Sequence, residues 1–176
     1  MALFRKKPNK TPPLIKINVG IDDRFTVKEK SNIIEALIRW QDGTNGLVLF
    51  HIGNMSIDKL IMHDDDCYTW YAINIVKTHS HDEEIKKEER ILGHRVNGLA
   101  IYLDVTTFAF IVVDRLQIQE DFIGLVMHEV GHLLGLAHRP AGTIMCKYAP
   151  RPAEVTYWDF SQLMDVLRRW LGLAAY

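Results

Sequence analysis

Residues 128 to 138 read His128-Glu129-Val130-Gly131-His132-Leu133-Leu134-Gly135-Leu136-Ala137-His138, and the fold follows from how this stretch is read. Phe122, Leu125, Val126, Val130, Leu133 and Leu134 make residues 119–134 apolar nearly all round, which predicts a buried helix. Glu120 or Asp121 can open it, near the positive end of its dipole. His128 and His132 are four apart, so their rings lie on one helical face and can reach one metal ion. Gly135 reads as the C′ residue that ends the helix. In a left-handed conformation it turns the chain, so that His138 can come back to the same point. Three histidines on a buried apolar helix are costly without something to satisfy them. Three neutral imidazoles with one open position fit catalytic zinc better than structural zinc. Glu129 projects beside that position, where it can take a proton from a zinc-bound water.

Outward from this helix the patterning changes period. Leu14 to Val19 alternates apolar and polar residues, as a half-buried strand does. Leu47 to Ile52, Tyr68 to Val76, Leu99 to Leu103 and Phe108 to Val113 read as further strands. Between the first two lies a helix expected over Ser31 to Trp40. Ser31 would be its N-cap, Ile33, Ile34, Leu37 and Trp40 its apolar face, and Asp42 to Gly46 its stop. Lys77 to Arg90 is polar and reads as an exposed loop or short helix. Thr156 to Leu171 reads as a last helix, opened by a capping box in which Asp159 replaces the usual Glu. The order predicts an α+β fold, a mixed α/β sandwich of four to five strands packed on the central helix. Residues 1–13 are basic and proline-bearing and read as a flexible lead-in, with 14–176 as a single domain.

The chain has 176 residues and a formal net charge of -1. That charge gives no electrostatic footing for nucleic acid or an anionic membrane. No apolar run approaches the roughly 20 residues of a membrane span, and no signal peptide is seen. Cys67 and Cys146, the only two cysteines, make no disulfide framework and read as buried thiols, so a cytoplasmic, monomeric protein is expected.

The motif and its sequel resemble the metzincins, whose long zinc motif is followed by a methionine turn. Thr143-Ile144-Met145 follows, with Met145 seven residues after His138. The resemblance implies a twisted sheet on an active-site helix, a C-terminal helix after the turn, and Met145 as an apolar floor beneath zinc ligands His128, His132 and His138. Within that class Ile144-Met145 with Tyr148-Ala149-Pro150 is most similar to matrixins. This implies an edge strand at Leu99, Ala100 and Ile101 that binds a peptide in extended form. It also implies a pocket walled by residues 132–136, Tyr148 and Pro150 for an apolar residue just after the cut. Arg139 departs from the matrixin serine, and the cysteine pattern of archaemetzincins is absent. The implied activity is a zinc endopeptidase with Glu129 as general base and one zinc ion as cofactor, acting on a protein or peptide. Alternatives are a zinc-containing binding module without activity and a zinc hydrolase of a non-peptide amide. A second structural zinc at His79, His81, Asp82 and His94, or calcium at His63 to Asp66, is weaker than a solvated loop at each place.

Overall fold

Alternation in LIKINVGI sends Ile15, Ile17 and Val19 to one face, each at most 2% exposed, and so makes β1 (Leu14–Ile21) a central strand with one side in the core. The computed structural model describes residues 14–53, 63–64, 67–103, 106–116, 119–148 and 151–170. Helix α1 (Val27–Gly43) follows, then β2 (Val48–Gly53), a two-residue β3 (His63–Asp64) and β4 (Cys67–Thr78). Next come α2 (Glu83–Leu92), β5 (Gly98–Leu103), β6 (Thr106–Val112), α3 (Gln119–Leu133) and α4 (Tyr157–Trp170).

The sheet runs β2-β1-β4-β6-β5, with β3 paired to the start of β4. β2, β1, β4 and β6 are parallel, and β5 pairs antiparallel with β6, Ala100 opposite Ala109. The mixed α/β layering expected from the sequence is therefore present, and β5 lies at the sheet's end. One face of the sheet, carrying Ile17, Ile73, Ile75 and Ile111, joins Ile33, Leu37 and Trp40 of α1 and the apolar side of α3 in one core. Each such side chain contributes about 1.5–3 kcal/mol when buried. Trp40 is fully buried, and its Nε1 donates to the Met127 carbonyl at 3.0 Å, which fixes α1 against α3 just ahead of the histidines.

Two details of α1 depart from the sequence reading. Helix α1 starts at Val27, a turn earlier than expected, because Thr26 and Glu29 form a reciprocal capping box and Ser31 is an interior residue. Ile34 is 37% exposed and lies off the buried face. The polar stretch from Lys77, read as an exposed loop or short helix, holds the end of β4 and then the short helix α2. No helix among the described residues is long and apolar enough to cross a membrane.

Candidate metal centre

Helix α3 presents His128 and His132 one turn apart, with ring centroids 4.6 Å apart and nearly perpendicular planes. The helix then closes on a Schellman turn. Gly135 has φ 84°, its N–H bonds the His132 carbonyl, and Leu136 N–H bonds the Gly131 carbonyl. The turn has two effects. It aims the Leu136 carbonyl at His132 Nδ1, 2.9 Å away, and it brings His138 back so that its ring stacks on that of His128 with centroids 5.2 Å apart.

The ligand atoms of His128, His132 and His138 all lie within 4.8 Å of one another. His132 Nε2 stands 3.1 Å from both His128 Nε2 and His138 Nε2. His128 Nδ1 bonds the Ile144 carbonyl at 2.8 Å. A carbonyl only accepts, so Nδ1 carries the proton in His128 and His132 and each Nε2 carries a lone pair. Two lone pairs 3.1 Å apart cannot bond each other and call for a cation between them. Tetrahedral binding at about 2.0–2.1 Å places imidazole nitrogens about 3.3 Å apart, so the donor set fits zinc. Electrostatics agree. Burial, then the charge of Arg151, pushes His128 down to about 3. Burial also lowers His132, against the Leu136 hydrogen bond, and lowers His138, with Lys147 and Arg151 adding to it. The rings are thus neutral, the form that ligates metal.

Beneath them the segment 143–146 is tied on both sides. Met145 is fully buried, and a Cβ on Gly131 would run into its Sδ, so the glycine between the two helical histidines is what lets the thioether pack there. Asp159 of α4, fully buried, accepts from Ile144 N at 3.1 Å and Met145 N at 3.4 Å while it also caps its own helix through Thr156. Arg139 N donates to the Met145 carbonyl, and Arg139 Nε to Gln162 at 3.1 Å.

Glu129 is 4% exposed and lies against Gly98 of β5. Burial pushes its carboxyl up to about 8, against the nearby Arg151. A cleft of about 480 Å³ joins this carboxyl to the three imidazoles. Leu99, Ala100 and Tyr148 line it. Ile101 lines instead a groove beside α2, with Phe110 and Val76, and Leu99, two residues before it on the same strand face, borders both the groove and the cleft. Pro150 lies outside the described residues.

His79 and His81 stack on each other, Asp82 closes its turn by accepting from Thr78 Oγ1 and His79 N, and His94 faces the cleft. His63 and Asp64 form β3, and Asp65 and Asp66 lie outside the described residues. The sequence reading missed Arg95 and Arg151 in the cleft and the hold of Asp159 on the methionine turn. Only the last had a visible signal, the T-x-x-D box.

No family model matches the chain, and no curated protein matches it. Among solved structures, archaemetzincin from Methanopyrus kandleri superposes with a TM-score of 0.54 over 93% of this chain and 100% of that one, at 14% identity. The chain shares the archaemetzincin fold. This likeness is one of fold and does not single out the matrixin branch.

Proposed function

We propose that this chain is a zinc-dependent metallopeptidase of metzincin type that cuts within peptide chains. The observation that carries the reading is the convergence of the imidazole lone pairs of His128, His132 and His138 beside the buried carboxyl of Glu129, at the wall of an open cleft. Zinc held by these three residues supplies a Lewis acid that polarises a carbonyl and acidifies water. Glu129 takes one proton from the attacking water and returns it to the amine nitrogen as the C–N bond breaks. Hydroxide thus ends on the carbonyl carbon and the proton on nitrogen. The carbonyls of Ile144 and Leu136 hold the tautomer and aim of His128 and His132. Met145 gives them an apolar floor. Strand β5, at the sheet's end beside the cleft, supports an extended substrate paired along Leu99 and Ala100.

The test pairs metal content with cleavage of a denatured protein. The parent should hold one zinc after dialysis, and His132→Ala should lose it. Glu129→Ala should keep zinc and lose hydrolysis by about 10²- to 10⁴-fold. Zinc retained by His132→Ala, or undiminished cleavage by Glu129→Ala, defeats the reading. A parent that binds zinc and cuts no peptide defeats the peptidase part of it.

A further inference from the structure

The chain carries a formal net charge of -1, yet its cleft is positive. Arg95, Lys147 and Arg151 line it, and Glu129 is the one acidic lining residue among those described. Arg151 is the fixed member of the three. Its Nε donates to the Cys146 carbonyl at 2.8 Å and its Nη2 to the Lys147 carbonyl at 2.9 Å, which leaves Nη1 without a hydrogen-bond partner among the described residues. It is half-buried and borders both the cleft and a small cavity that Asn97, Leu125, Arg115 and Asp121 also line.

Other arginines of the molecule meet carboxylates. Arg24 pairs with Asp22, Arg39 with Glu35 and Glu120, and Arg115 with Glu89. Arg151 instead rests on backbone carbonyls, which orient the guanidinium without neutralising it. Glu129 is the carboxylate within electrostatic reach, and the peptidase reading gives that group to proton transfer. A partly desolvated, pre-oriented cation facing a substrate cleft is complementary to an anion.

We propose that Arg151 makes this cleft select peptides that carry a carboxylate beside the bond to be cut, with Arg95 and Lys147 gathering acidic chains toward it. The proposal rests on the peptidase reading and deepens it. It replaces the apolar preference expected from the resemblance, which took no account of a charge at this wall. The carboxylate comes either from an Asp or Glu side chain inside a longer peptide, as cutting within chains requires, or from a peptide's own C-terminus, in which case the cleft trims chain ends instead.

Binding tests this apart from catalysis. Zinc-loaded Glu129→Gln protein is titrated with fluorescent hexapeptides, amidated at the C-terminus, in which Glu, Gln, Leu or Lys is placed at each position in turn. A second arm compares the all-neutral peptides with free and amidated C-termini. At one position Glu should bind tighter than Gln by about 10- to 100-fold, the range one charge-assisted hydrogen bond supports. If the second source is the true one, the free C-terminus should show that gain instead. Arg151→Leu should abolish the gain and Arg151→Lys keep part of it. No position favouring Glu and no gain from a free terminus overturns the proposal, and this scan needs no Arg151 variant to fold. A gain that survives in a folded Arg151→Leu protein overturns it as well. If acidic peptides bind as stated and the parent cuts none, the peptidase reading fails and the anion site stands. If the parent cuts peptides without regard to acid, the anion site fails and the peptidase reading stands.

Discussion

At the scale of single residues, the position of Glu129 depends on a hydrogen atom. Gly98 opens β5, and a Cβ there would stand 2.5 Å from Oε1 and 2.8 Å from Cδ of Glu129. A methyl group at 98 must displace the end of a flexible side chain, so the fold should lose little. The proposed base, however, would shift by a distance comparable to an atomic radius. Gly98→Ala is expected to keep its zinc and its unfolding midpoint within about 0.5 kcal/mol while losing about 10- to 100-fold in peptide hydrolysis. Parent-level hydrolysis in this variant would mean that Glu129 does not work from where it lies.

Elements matter because none of the three histidines is placed by its own helix alone. The end of α3 supplies the Leu136 carbonyl to His132, the methionine turn supplies the Ile144 carbonyl to His128, and α4 holds that turn through Asp159. Asp159→Ala would strand the buried N–H groups of Ile144 and Met145. The expected cost is about 1–3 kcal/mol in denaturant unfolding, together with about 10-fold or more in zinc affinity through the loosened partner of His128. Unchanged midpoint and affinity would show that the turn keeps its place without α4. The cap of α1 makes the same point about local signals. Thr26-Val27-Lys28-Glu29 is a complete capping box that lay in plain view, and the later Ser31 was the weaker claimant because no Glu or Gln follows it at the third position.

Across the whole molecule, the site sets how stability responds to pH once metal is stripped by a chelator. His128 falls from 6.5 to about 3 on folding, so the unfolded chain binds more protons between those values and stability declines as pH drops below about 6.5. His132 and His138, both lowered, act in the same direction. Glu129 rises from 4.5 to about 8, so the folded chain binds more protons there and its contribution is lost as pH climbs toward about 8. Between about pH 4.5 and 6.5 the three histidines oppose Glu129 and outnumber it, so the stripped protein should be most stable near pH 6.5 and weaken on either side. Bound zinc favours the ionised Glu129 beside it, which removes the alkaline loss, and it stabilises the folded state by mass action. The gap in Tm between loaded and stripped protein, followed by calorimetry, should widen from about pH 5 to 8. A gap that stays constant or narrows would contradict these shifts.

What the sequence alone determined was what short-range geometry governs. A 3.6-residue period made the helix, an i, i+4 spacing put His128 and His132 on one face, and Gly135 at the helix end turned the chain toward His138. Alternation marked the core face of β1, aromatic and β-branched content marked β4, and Thr156 with Asp159 marked the start of α4. These rules act within about one turn of helix or a few residues of strand, so they need no knowledge of the rest of the chain. The tertiary structure alone decided what reaches the site from a distance. The sheet order places β5 at the edge, beyond β6, and so lays Gly98 on Glu129 although thirty-one residues separate them in the chain. The Arg151 guanidinium donates to the carbonyls of Cys146 and Lys147, which sets it in the cleft. The direction of a loop side chain is set by the backbone groups it meets, not by any periodicity of its own, so the charge of the cleft became visible only once the elements were packed.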